Sequence, residues 1–142
     1  MSEPYYATSS DAERAFYDAF QRADLGDMMK IWSHEDSIIC IHPMGPRLGG
    51  REAVEHSWRE IFAGGAPMRF ELTEVTCTLD GDLAVHSVHE NIDHGTQPGQ
   101  RSLVLATNIY KSGDRGWRMI VHHASPGVSL QAHDSEPQAT LH

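Results

Sequence analysis

The hydrophobic period of this chain changes once, and that change constrains its fold more than any other feature. Up to Gly64-Gly65 apolar residues recur mainly at helical spacing, whereas beyond Pro67 they alternate. Ala12, Ala15, Phe16, Ala19, Phe20 and Ala23 form one stripe, and Ser10 with Glu13 makes a capping-box pattern ahead of it. Gly26 reads as the stop of this helix and Asp27 as a fresh N-cap, so Met28 to Trp32 is expected as a short second helix turned sharply against the first. Ala53, Val54, Ser57, Trp58, Ile61 and Phe62 mark a third, from Arg51 to Phe62. Between the second and third, Ser37 to His42 is β-rich and stops at Pro43, and Met44 to Gly50 is a loop by composition.

In the second half, Met68, Phe70 and Leu72 share one parity and Val75, Cys77 and Leu79 the other, a slip that a β-bulge near Thr73-Glu74 explains. Asp80-Gly81 is a tight-turn signal, and strands are expected over Leu83 to Ile92, Ser102 to Lys111 and Trp117 to Ala124. These strands form a meander. Apolar residues occupy both parities of Ser102–Lys111, so both faces should be covered, one by the helices and the other by a partner subunit. The class is α+β. Gly127 to His142 lacks large apolar residues and periodicity and reads as a disordered tail.

A chain of 142 residues suits one domain with one core. Eleven basic against twenty acidic residues give a formal charge of −9, which argues against a nucleic-acid partner, whose phosphates need clustered Lys and Arg. No apolar run approaches the roughly 18 residues of a membrane helix. The first residues, Met1-Ser2-Glu3-Pro4-Tyr5, are neither basic nor apolar, so a cytoplasmic home is expected, without membrane association. Cys40 and Cys77 lie in strand-like runs and are expected as small buried hydrophobes rather than a disulfide.

Three local patterns carry a resemblance. Ile41-His42-Pro43 is followed by Gly49-Gly50-Arg51 and Ser57-Trp58; Ala106-Thr107-Asn108-Ile109-Tyr110 stands in a later strand; and Gly116-Trp117-Arg118-Met119 leads to His122-His123-Ala124-Ser125-Pro126. Together they resemble the SnoaL-like branch of the nuclear transport factor two-like superfamily. The resemblance implies a domain over residues 8–126 with cystatin-like topology. Its three N-terminal-half helices would pack in a curved mixed or antiparallel sheet, making a cone around a pocket. It also implies a homodimer through the outer sheet face. The superfamily holds isomerases, cyclases, hydrolases and dehydratases beside modules that only assemble, so the fold does not choose the activity.

Alternation places His42 on the same side as Ile38 and Cys40, and puts Trp117, Met119, Val121, His123 and Ser125 together on one face of the last strand. A pocket wall of His42, Trp58, Asn108 and His123 follows, with Ser125 beside it. His123 and His42 would act as base or hydrogen-bond donor, with satisfied core histidines as the alternative. Glu90 shares a face with Ala84, His86, Val88 and Ile92; enzymes that such a pocket resembles use a carboxylate base there. Asp93 reads as a surface strand end.

No His-x-His strand pair and no helical His pair occurs, so no metal site is expected. Gly45 to Gly50 lacks the phosphate-loop lysine and the dinucleotide fingerprint, and no serine stands in a nucleophile elbow, so neither cofactor nor covalent catalysis is expected. Two functions stay open. One is a small-molecule pocket protein, such as a cofactor-independent isomerase, cyclase or hydrolase working by general acid/base chemistry on an apolar substrate. The other is a non-catalytic ligand-binding or oligomerisation module resembling the calmodulin-dependent kinase association domain.

Overall fold

The computed structural model describes residues 3–65, 68–94 and 101–128. Helix α1 (Ser9–Arg22) starts at Thr8, whose hydroxyl accepts the Asp11 N–H at 3.0 Å, rather than at Ser10. Glu13, read as a capping-box residue, is instead buried. Ala23 adopts the left-handed conformation (φ 55°) and ends the helix. Asp24 then caps α2 (Leu25–Ile31) by accepting the Asp27 N–H at 2.9 Å, so Gly26 lies inside α2 and does not separate the helices. The helices α1, α2 and α3 (Arg51–Ala63) cover one side of a six-stranded sheet.

The strands are β1 (Ile39–Ile41), β2 (Arg47–Gly49), β3 (Arg69–Asp80), β4 (Leu83–Asp93), β5 (Arg101–Gly113) and β6 (Gly116–Pro126), in the spatial order β2-β1-β6-β5-β4-β3. The expected meander forms β3 to β6, all antiparallel. Beyond it, β1 runs parallel to β6. Loop 44–50 holds the short strand β2, which pairs with β1. The fold is therefore α+β, with helices against a mixed sheet. Of the expected tail, residues 129–142 lie outside those described.

Two bulges set which side chains face inward. The first is where the alternation slips: β3 shifts register between Thr73 and Thr76, and Glu74 takes φ 50°. The second gives no such sign. Ile109 pairs with Val121 but Tyr110 pairs with Met119, so Ile120 is an extra residue in β6. Past it the parity reverses, and His122 and Ala124 point inward.

The core is aromatic. Phe16, Trp32, Trp58, Tyr110 and Met119 are fully buried, and Trp58 meets Phe16, Phe20 and Phe62 at ring-centroid distances of 5.7, 4.8 and 5.6 Å. Each large apolar side chain removed from water contributes about 1.5–3 kcal/mol, so this cluster anchors α1 and α3 to the sheet. The N-terminal segment is strapped across β6: Trp117 N–H donates to Tyr6 O at 2.9 Å, and Arg118 donates to Pro4 O and Lys30 O. Gly116 permits this approach, because a Cβ there would sit 2.6 Å from Tyr6 O. Among the described residues no helix is long and apolar enough to cross a membrane.

Candidate functional site

A line of polar groups runs through the apolar interior on the inner face of β4, β5 and β6. Alternation along β4 turns Ala84, His86, Val88, Glu90 and Ile92 inward, and Glu90 is only 2% exposed. Register then places Asn108 of β5 opposite both His86 and His122. From α1, Tyr17 reaches across. Its hydroxyl donates to Glu90 Oε2 at 2.5 Å and accepts from Asn108 Nδ2 at 3.0 Å, while Asn108 Oδ1 lies 2.6 Å from His122 Nδ1.

This chain of bonds has a direction. Asn108 Oδ1 can only accept, so His122 carries its proton on Nδ1 and leaves Nε2 as an acceptor. Every donor then points toward Glu90. Burial holds the His122 imidazole down to about 3, with the neighbouring His42 and His123 adding to the effect, so it is neutral at ordinary pH. Burial pushes the Glu90 carboxyl up to about 7; the Tyr17 hydrogen bond opposes that and the nearby Glu13 adds to it. Burial, followed by Glu90 itself, raises the Tyr17 phenol well above its usual range. Of these groups, Glu90 is the one poised to exchange a proton near neutrality.

At the other end, His42 is half-buried. Its Nε2 lies 3.0 Å from Ser57 Oγ, and its ring meets Trp58 edge-on at 4.8 Å and His122 at 6.3 Å. Burial lowers its pKa. Trp58 Nε1 is buried without a hydrogen-bond partner, a donor left over in the interior. A second polar trio sits nearby: Ser9 Oγ lies 2.9 Å from His86 Nε2, and His86 Nδ1 lies 3.1 Å from Glu13 Oε2. That last contact is off-line for a hydrogen bond, and all three residues are buried, so the trio reads as internal packing.

The inner face thus brings together His42, Trp58, Glu90 and Asn108 from the sequence expectation, and it corrects two others. His123 and Ser125 are exposed on the outer face, because the Ile120 bulge reverses the alternation that had placed them inside; His122 takes the inward position. Cys77, expected to be buried, is exposed on β3, while Cys40 is buried and its thiol is pushed up to about 12 by burial. Tyr17, Glu13 and His122 were not among the residues expected in the interior site. The signal for the first two was present: Glu13 and Tyr17 lie four apart, directly beside the Ala12–Phe16 stripe, where a helix rolls its flank toward the core. Asp93 is half-exposed at the strand end.

Among the described residues, the polar line of Glu90, Tyr17, Asn108 and His122 includes no Lys or Arg that would hold an anion. Arg118, the buried cation among the described residues, has its guanidinium taken up by Lys30 O and Pro4 O and takes no part in the polar line. No group of three or more His, Cys, Asp and Glu side chains able to hold a metal occurs among the described residues. An open cleft of about 830 Å³ lined by Ser33, His34, Glu35, Lys111, Arg115 and Arg118 includes none of these network residues.

Residues 10–129 match the SnoaL-like domain family. Among solved structures, a protein of Thiobacillus denitrificans provisionally assigned as a calcium/calmodulin-dependent protein kinase type II association domain is 39% identical, with a TM-score of 0.84 over 89% of this chain and 100% of that one. A provisionally assigned dehydratase of the NTF2-like family from Streptomyces avermitilis is 34% identical, with a TM-score of 0.78 over 85% and 94%. The F-box protein SKIP8 of Arabidopsis thaliana is 26% identical over 126 residues; these cover 85% of this chain but only 52% of that protein, about half its length. With the family match spanning most of its length and helices laid against a mixed sheet, this chain belongs to the SnoaL-like domain family.

Proposed function

We propose that this chain binds a small uncharged apolar molecule within its cone and moves a proton on it without a cofactor, with Glu90 as the base. The observation that carries this reading is a buried carboxyl whose pKa of about 7 lets it both take and return a proton near neutrality. Tyr17 occupies Oε2, which leaves Oε1 for the substrate proton. The Trp58 N–H and the partly accessible His42 supply polar groups to orient a carbonyl or hydroxyl. Because the inner face carries acids and neutral imidazoles, an anionic substrate would be repelled. Isomerisation, cyclisation and dehydration all need such a proton transfer.

The test has two steps. A thermal-shift screen of uncharged apolar carbonyl compounds at pH 8 should find ligands that raise the melting temperature. Any such ligand is then followed by NMR in D2O. The reading expects exchange of protons next to the carbonyl, reduced at least ~100-fold in Glu90→Gln. Binding without exchange, unchanged by Glu90→Gln, would favour the second reading, a non-catalytic ligand-binding or oligomerisation module.

That second reading has its own support, the outer face of the sheet. Val85, Leu105, Ile109, Val121, Ile39 and Ile41 line it on four adjacent strands, and Val85 and Leu105 are 39% and 38% exposed. We infer a homodimer through this face, compatible with either function. Localisation in the cytoplasm remains our proposal alongside it.

A further inference from the structure

The register of the sheet exposes an unusual surface for so acidic a chain. On the outer face, Val85, Ser87 and His89 of β4 stand beside Leu105, Thr107 and Ile109 of β5. Next come Val121, His123 and Ser125 of β6, then Ile39 and Ile41 of β1. None of these carries a carboxylate, amine or guanidinium. With strands about 4.8 Å apart and about 3.3 Å per residue, the patch measures roughly 19 by 17 Å, on the order of 300 Å². A standard interface takes about 800 Å² from each partner, so the patch would be the centre of one and its surroundings the rim.

The rim holds charges of both signs. Arg47 of β2 follows Ile41 in the row through His123, while Glu71, Arg69, Arg101 and Asp93 lie at one end and Asp80 and Lys111 at the other. A chain of formal charge −9 repels its own copy everywhere except across such a neutral centre, and a rim of mixed sign can complement itself about a two-fold axis. The occupant that fits is a second copy of this chain.

Two histidines, His89 and His123, are the titratable groups of that centre. His123 is flanked by Thr107 on β5, Ile41 on β1, and Val121 and Ser125 on its own strand. The nearest charge along its row is Arg47, which opposes a second positive charge. His89 faces Thr73 and Leu105; diagonal to it is Glu71, already bonded to Arg101 at 3.0 Å. Among the described residues neither histidine has a carboxylate directly opposite it in the register; Glu74, in the bulge that follows Thr73, is the next carboxylate along β3 from His89. We propose that mild acid releases the dimer, because protonating His123 and His89 places unpaired charge in an apolar contact.

This inference rests on the homodimer proposed above. The linkage sign follows from the contact: joining the subunits disfavours the charged imidazole, so association is full above the histidine range and is lost as pH falls through it. Sedimentation equilibrium of the whole chain at pH 8 and pH 5.5, with circular dichroism showing a folded chain at both, tests it. The wild type should be a dimer at pH 8 and bind its copy about tenfold or more weakly at pH 5.5. The His89→Gln/His123→Gln variant, which has no titrating side chain at these two positions, should not bind its copy more weakly at pH 5.5 than at pH 8. A wild-type dissociation constant that does not rise at pH 5.5, or a rise of the same size in the double variant, overturns the inference while leaving the dimer in place. A wild type that is monomeric at pH 8 overturns both.

Discussion

At the scale of single residues, the central feature is a carboxylate kept out of water and answered by one phenol. Glu90 was legible in the sequence as an inward residue because β4 alternates without interruption, and a strand of that kind assigns its faces from parity alone. Tyr17 was not, since a helix flank is half-determined by periodicity and fully determined only by what packs against it. Moving Glu90 from 4.5 to about 7 makes the folded state bind more protons than the unfolded chain between those values. Stability from this group therefore falls as pH rises through that window, by roughly 3 kcal/mol in total. Glu90→Gln should accordingly stabilise the fold at pH 8 and lose its advantage near pH 4.5, as read from urea midpoints at the two pH values. His122 works in the opposite sense, with stability falling as pH drops from about 6.5 toward 3. Removing the phenol should show that the chain of bonds is continuous. Tyr17→Phe leaves Glu90 without its donor and Asn108 without an acceptor, at a cost of about 1–3 kcal/mol in chemical denaturation. No loss of stability would mean that the bonds are not formed in solution.

At the scale of elements, the instructive comparison is between the two bulges. The one at Glu74 announces itself, because the apolar residues change parity from Leu72 to Val75. The one at Ile120 is silent: Met119, Ile120 and Val121 are all apolar, so alternation is undefined where the extra residue enters. That silence misplaced His123 and Ser125. Deleting Ile120 removes the extra residue and leaves Met119 opposite Tyr110 and Val121 opposite Ile109, so His122 should stay inside in a regular strand, whereas an alanine inserted after Ile120 should turn the later residues over and place His122 outside. The deletion should keep a cooperative thermal transition and the insertion should lose it; a native melting temperature in the insertion variant would show that parity in β6 does not set the site. Helix boundaries failed for a simpler reason: Thr8 and Asp24 cap α1 and α2, and several neighbouring Ser and Asp residues offered the same chemistry. The strap across β6 is also testable. Gly116→Ala forces a side chain onto a φ of 84° and onto Tyr6 O, and should cost about 1–3 kcal/mol in the same assay.

At the scale of the molecule, one sheet serves two surfaces. Its inner side holds the aromatic core with a polar line through it, and its outer side offers a neutral centre within a charged rim. The mixed composition of β5, apolar on both parities, was the sequence sign of this double use. Leu105→Glu, placed within the neutral patch of the outer face, should yield monomers in sedimentation while leaving the melting transition of the fold cooperative. An unchanged dimer would direct attention to another surface. What sequence could not supply is the choice of chemistry, since that depends on a phenol from α1 meeting a carboxylate from β4, which lie 73 residues apart. The most direct measurement is therefore the titration of the Glu90 side chain itself, followed by NMR of the carboxyl carbon in glutamate-labelled protein. The account predicts a midpoint near 7, moved higher in Tyr17→Phe; a midpoint in the ordinary glutamate range near 4.3, insensitive to Tyr17, would contradict it.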